Sequence, residues 1–223
     1  MAKGWSSEQM AGKLVADLPD RSLVNLGIGL PTLVAGLLPP GGQILLHSEN
    51  GIIGLGPPAP PHAIDPDLVD AGKTPVTLVP GAAIVDHAAS FALIRGGRLD
   101  IAVLGALQVS ASGDLANWRV AGEKLGSVGG AMDIAVGARR VFVMMRHLDK
   151  EGRPKLVRAC TYPLTAQRCV DRVYSDLAVI DITDEGFAVR EMAPGLTQEE
   201  LRDATDAPLR FVSQDGKSAL LTD

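Results

Sequence analysis

Cysteine is scarce. Among 223 residues only Cys160 and Cys169 occur, and their separation fits no metal-ligand spacing. A disulfide framework is not needed by a chain long enough for a sizeable core, so free thiols in a reducing compartment are expected. Histidine is as thin. His47, His62, His87 and His147 form no ligand pair with one another or with a cysteine, so no metal is expected. No run of 18 apolar residues occurs, which argues against a membrane-spanning helix. The opening Met-Ala-Lys-Gly-Trp-Ser-Ser-Glu lacks the apolar centre of a secretory signal. Positive charge is not in excess: 21 Lys and Arg stand against 26 Asp and Glu, a net charge of -5. That balance argues against nucleic acid or an anionic membrane as general partners. Internal repeats and low-complexity segments are also missing. What remains is 46% hydrophobic and 21% charged, the composition of a globular protein, expected in the cytoplasm as a single domain over residues 1–223.

The pattern of apolar residues and breakers predicts an α/β fold with an open, mainly parallel sheet, helices on both faces and a mixed, strand-rich C-terminal part. Ser6 and Gln9 form a capping box for a helix carrying Met10, Leu14, Val15 and Leu18. A short strand over Ser22–Leu26 follows. Pro31 then opens a helix through Leu38, ended by Pro39-Pro40-Gly41-Gly42, and a strand runs over Gln43–His47. Strand, helix, strand is the unit of a parallel sheet. Residues 55–75, rich in Pro and Asp, read as an ordered loop. Strands are expected at Val76–Val79 and Leu99–Leu104, with a helix between them capped by Asp86 and closed by Gly96-Gly97. A hairpin is expected over Gln108–Trp118, a short helix from Gly129-Gly130-Ala131, and strands at Val141–Met145, Leu156–Cys160, Leu177–Ile182 and Phe187–Met192. The last helix starts at Thr197, with Glu200 completing a second capping box.

Three segments carry candidate chemistry. The first is Leu46-His47-Ser48-Glu49-Asn50-Gly51-Ile52-Ile53-Gly54. A Glu after a strand is ordinarily a solvated turn residue, but this one follows a buried-type strand and precedes Gly-Ile-Ile-Gly, so it can stand in a cleft. A carboxylate there can act as a nucleophile that enters and leaves a covalent intermediate, splitting one hard exchange into easier steps. At its ordinary pKa of about 4.3 a Glu needs no base, so His47, two residues away, reads as a packing residue of the strand end. The second is Gly126-Ser127-Val128-Gly129-Gly130-Ala131-Met132-Asp133. Its helix-opening amides suit an oxyanion hole as well as a plain helix cap. The third is Asn25-Leu26-Gly27-Ile28-Gly29-Leu30-Pro31. Gly27-x-Gly29 after a strand partly imitates a dinucleotide-binding turn. Thr32 stands where the third Gly is needed, and Glu49 lies beyond its strand, which disfavours a nicotinamide cofactor.

The Ser48-Glu49-Asn50-Gly51 string closely resembles the Ser-Glu-Asn-Gly motif of family I coenzyme A transferases. The segments Asn25–Pro31, Gly129–Asp133 and Gly113–Trp118 resemble other stretches of that family in the same order, and the likeness runs from about Val24 to Thr205. Val128 stands where the family usually has Met. The resemblance is to the beta half of the 3-oxoacid type. It implies Glu49 as nucleophile and the Gly130 amide as oxyanion donor, with Asn25, Gly27, Gly29, Lys73 and Gly129 close to bound CoA. It further implies CoA transfer from an acyl-CoA such as succinyl-CoA to acetoacetate or 3-oxoadipate. CoA would act as substrate rather than as a tightly bound cofactor, and a separate alpha (A-type) polypeptide would complete a hetero-oligomer. Two other readings stand beside it: a sugar-phosphate isomerase-like enzyme on the same fold, and a non-catalytic acyl-CoA-binding subunit.

Overall fold

Alternating apolar residues on the central strands decide the layers. The computed structural model describes residues 3–39, 41–120 and 127–212; Pro40 and Gly126, read above as parts of turns, lie outside them. In the strand Ile101–Leu104, Ile101 and Val103 join one core cluster while Ala102 and Leu104 join the other. In Val141–Met145, Phe142 and Met144 face the first cluster, and Val141, Val143 and Met145 the second. A strand buried on both faces needs helices on both.

The chain order that supplies them begins α1 (Ser7–Ala16), β1 (Leu23–Leu26), a 3₁₀ helix (Leu30–Leu37), β2 (Leu45–Ser48), β3 (Ile52–Pro58), β4 (Val76–Ile84) and α2 (His87–Arg95). It continues with β5 (Ile101–Leu104), β6 (Gln108–Ser110), β7 (Leu115–Ala116), α3 (Ala131–Gly137), β8 (Val141–Met145) and β9 (Leu156–Val157). It closes with β10 (Arg172–Ser175), β11 (Ala178–Thr183), β12 (Gly186–Met192), α4 (Gln198–Asp203) and β13 (Leu209–Phe211). Ten strands form one sheet in the order β13-β12-β11-β10-β8-β5-β1-β2-β3-β4. The central five, β10 to β2, are parallel. Antiparallel arms extend both sides: β3 and β4 beyond β2, β11 and β12 beyond β10. β6, β7 and β9 make a separate three-stranded sheet.

Three helices begin where the sequence placed them, because their caps are local. Ser6 and Thr197 each form a full capping box, and the Asp86 carboxylate accepts from Ala89 N–H. Differences arise where non-local pairing overrides composition. The expected loop at 55–75 is in its first part the end of strand β3, which pairs with β4 although it holds Gly56 and Pro57; register shifts beside Leu55 absorb them. The segment after Pro31 winds as a 3₁₀ helix. The strand expected over Leu156–Cys160 pairs only at Leu156–Val157. β10 and β13 were not anticipated, since each is short and carries a polar residue. Among the described residues no helix is long and apolar enough to cross a membrane.

One buried ion pair ties these layers together. Arg172 on β10, largely buried, donates to Asp181 on β11 and to Asp17 just after α1, 2.7 Å away, and the Tyr174 hydroxyl also donates to Asp17 at 2.7 Å. Removing one partner of such a network strands the others. Arg172→Ala is expected to cost about 3 kcal/mol, read as a lower urea midpoint with an unchanged slope.

Candidate active site

Strand order sets the position of the site. β1 lies between β2 and β5, and the chain leaves β1 toward β2 through the 3₁₀ helix on one face. It enters β5 from α2 on the other face. Crevices in open α/β sheets form at such a reversal, beyond the carboxyl ends of the strands. Here those ends are Leu26, Ser48 and Leu104, and beyond them lies a cavity of about 420 Å³. Asn25, Gly27, Glu49, Asn117, Gly129 and Gly130 are on its wall.

Glu49 follows β2 in a turn closed by Gly51 N–H donating to Ser48 O at 2.9 Å. Gly51 has φ 118°, and a Cβ there would lie 2.1 Å from Val85 O. Only glycine fits, for both reasons. The neighbours of Glu49 are tied as well. Ser48 Oγ accepts from Ala71 N–H at 2.9 Å, and Asn50 Nδ2 donates to Val69 O at 2.7 Å. The main chain is therefore fixed on both sides of a side chain that remains free to point into the cavity.

Gly130 forms the opposite wall at the start of α3. A Cβ built on it would fall 2.6 Å from Glu49 Oε2 and 2.9 Å from Phe91 Cζ. The carboxylate thus rests directly on the Gly130 backbone, and among the described residues no acceptor faces the Gly130 N–H. Burial is the main cause that raises the Glu49 pKa above the usual carboxyl value. His87, in the first turn of α2, pulls it down, and Asp133 pushes it up. Asp133 is itself paired with Arg95 at 2.7 Å, a bridge from α3 to α2.

Asn25 is buried, and its Oδ1 has no hydrogen-bond partner. A buried unpaired oxygen is costly, so this atom is an acceptor with unused capacity on the cavity wall. Gly29, Gly72 and Thr74 line an adjoining, more apolar cavity of about 380 Å³ that shares Leu26, Ile28 and Ala71 with the first. Of the sequence candidates, Asn25, Gly27, Glu49, Gly129 and Gly130 meet around one cavity, and Gly29 stands at its neighbour. Lys73 does neither. It is exposed at φ 64°, in a turn held by Asp70, and only the residues beside it line a wall. His87, Ser90 and Phe91 were missed as site residues; the Asp86 cap, which places all three on the first turns of α2, was the available signal.

Other groups contribute little to the chemistry here. Burial pushes the Cys160 and Cys169 thiols up to about 11 and about 12, which makes them poor nucleophiles. Among the described residues no cluster of three His, Cys, Asp or Glu could hold a metal.

The raised Glu49 pKa has a thermodynamic sign. The native state holds the Glu49 proton more tightly than the unfolded chain does. Stability from the protonated form is therefore full below the ordinary carboxyl pKa of about 4.3 and is lost as pH rises through the raised value. Glu49→Gln removes this burden. Its thermal midpoint is expected to exceed that of the unaltered protein at pH 7, with the gap closing toward pH ~4; an equal gap at both pH values would show that burial of the charge is not the cause.

Comparison with known proteins adds the ancestry of this site. The pattern of the family described as coenzyme A transferase matches residues 8–204. The B subunit of the 3-oxoadipate CoA-transferase of Acinetobacter baylyi (strain ATCC 33305 / BD413 / ADP1) is 51% identical over 93% of this chain and 96% of its own length. The B subunit of a probable succinyl-CoA:3-ketoacid coenzyme A transferase of Bacillus subtilis (strain 168) is 44% identical over 90% of this chain and 93% of its own. Among solved structures, an acyl-CoA transferase apoenzyme from Escherichia coli O157:H7 superposes with a TM-score of 0.74 at 20% identity, covering 93% of this chain and 42% of that one. With a fold of that kind, a match over most of its length and relatives this similar, the chain belongs to the coenzyme A transferase family.

Proposed function

We propose that this chain carries the nucleophile of a 3-oxoacid-type CoA-transferase, moving CoA from succinyl-CoA to a 3-oxo acid such as 3-oxoadipate or acetoacetate. The observation that carries the mechanism is the seat of Glu49. Among the described residues on the cavity wall it is the one ionisable side chain, and it lies against the Gly130 backbone. The substrate pair rests on the names of the relatives above.

Glu49 attacks the thioester carbonyl through a carboxylate oxygen. The C–S bond breaks, CoA leaves as thiolate, and a glutamyl–acyl anhydride remains. The thiolate attacks the glutamyl carbonyl and expels the first acid, leaving Glu49 as a CoA thioester. The acceptor carboxylate attacks that thioester, and the two steps run in reverse. Each attack puts negative charge on a carbonyl oxygen, and the Gly130 N–H, at the helix start beside Glu49, receives it. Asn25 Oδ1 accepts from a donor on the CoA arm. The turn of Gly27 and Gly29 lets that arm pass close to the main chain, and Lys73 on the loop rim meets the CoA phosphates. Burial of Glu49 raises the energy of its anion and keeps water from the anhydride.

The other half of the enzyme is proposed to be a separate alpha (A-type) polypeptide. Relatives of this length are named as subunits, and the E. coli structure is more than twice as long as the part matched. Ile28 (72% exposed), which lines both cavities, together with Ile84 (65%) and Val136 (71%), offers apolar surface for such a partner. The assembly would work in the cytoplasm, with its thiols reduced.

The decisive experiment loads the co-expressed pair with succinyl-CoA in the absence of acceptor and maps the adduct by mass spectrometry. CoA is expected on the peptide that holds Glu49; CoA on Cys160 or Cys169 would sink the mechanism. Glu49→Gln should fold and lose transfer. Gly130→Ala should stay folded and lose about 10²-fold or more in kcat, because its Cβ displaces the nucleophile and perturbs the oxyanion donor. The acid limb of the rate is expected above the ordinary Glu pKa, since the reactive carboxylate is lost as pH falls through the raised value.

A further inference from the structure

A string of buried polar groups runs beneath Glu49 and has one direction. Asn25 Nδ2 lies 3.1 Å from His47 Nδ1 and 3.3 Å from the His47 main-chain oxygen. The amide nitrogen must face this way, because the reverse orientation would set two oxygens against each other. An amide nitrogen only donates, so His47 Nδ1 is the acceptor and carries a lone pair. The imidazole is then neutral, with its proton on Nε2. Burial also favours the neutral ring, pushing the His47 pKa down to about 4. Nε2–H donates to Ser90 Oγ at 3.0 Å, which leaves the Ser90 hydroxyl proton for Glu49 O at 2.8 Å. All three side chains are buried.

Ser90 is informative because of where its proton goes. A serine inside a helix usually returns its hydroxyl to a carbonyl of its own preceding turn. Ser90 instead spans from α2 to the turn after β2, and the bond lands on the residue that carries the carboxylate.

We propose that Ser90, oriented by His47 and Asn25, is a positioning residue that holds the Glu49 main chain still while its side chain passes from carboxylate to anhydride to thioester. The inference rests on Glu49 being the nucleophile. The reason for such a hold is geometric. The Glu49 side chain changes bonding partners several times per turnover, and each attack requires approach to near 3 Å with aligned orbitals. The hydrogen bonds at Ser48, Asn50 and Gly51 fix the turn from its flanks; Ser90 fixes the peptide of Glu49 itself.

The test uses the co-expressed enzyme and four variants. Ser90→Ala is expected to lower kcat by ~10- to 100-fold, with KM for succinyl-CoA within about twofold, because a misplaced nucleophile slows chemistry more than binding. Ser90→Thr keeps the hydroxyl and should return kcat to within about threefold of the unaltered enzyme. A purely structural role would instead shift the thermal midpoint while leaving kcat in place. A folded Ser90→Ala enzyme at full kcat overturns the proposal, as does a folded Ser90→Thr enzyme as slow as Ser90→Ala. If Ser90→Ala does not assemble, Ser90→Cys fills the same space with a weak donor; kcat below that of Ser90→Thr supports the role, and full kcat refutes it. Glu49→Gln separates the two readings. If it retains transfer, the nucleophile assignment fails and the positioning role with it. If it abolishes transfer while Ser90→Ala stays at full rate, only the positioning role fails.

Discussion

The approach of Gly51 to the Val85 carbonyl is the contact on which the rest of the site depends. It lets the chain reverse tightly at the end of β2, so that β3 returns alongside as an antiparallel strand. The same reversal leaves Glu49 at the carboxyl edge of the sheet, beside the ends of β1 and β5. A side chain at Gly51 would force Val85 and the start of α2 away, and α2 carries His87, Ser90 and Phe91. Sheet geometry and the position of Glu49 are therefore set by one close backbone contact rather than by any property of the carboxylate.

The cost of the site is concentrated at Glu49. An exposed carboxylate would be stable but wet, and water would compete for every acyl intermediate. A deeply buried one would be protonated and unreactive. The structure lies between these limits: the side chain is half-buried, burial raises its pKa, and His87 opposes part of that rise. Residual destabilisation of the anion suits the proposed relay role, because such a group must be reactive enough to enter an anhydride and stable enough to leave it.

How much could be read from the chain depended on the range of the interaction. Ser6, Asp86 and Thr197 were legible because a cap is settled within three residues. The motif residues Asn25, Gly27, Glu49 and Gly130 were legible through their resemblance to a family, and the fold brings them to one wall. β3 was not legible: its Gly and Pro argue locally for a loop, and only pairing to the distant β4 makes that part a strand. His47, read as a packing residue at the strand end, is buried in β2; what could not be read was its ring partners, Asn25 on β1 and Ser90 on α2, which lie 22 and 43 positions away. Lys73, carried over by motif, stands exposed on the loop between two residues that line the second cavity, a placement its sequence neighbours alone did not give.

The contact between Gly130 and the Glu49 carboxylate also limits what each of the two positions can hold. With Glu49 in this position, a β-carbon at residue 130 would have to displace the carboxylate and the Phe91 ring edge. Once Glu49 shortens, the obstruction from Oε2 disappears, and the Phe91 ring edge is the part of the wall that can still rotate aside. Residues 49 and 130 are therefore coupled by space: the glycine sets where the carboxylate can rest, and the carboxylate sets what residue 130 can be.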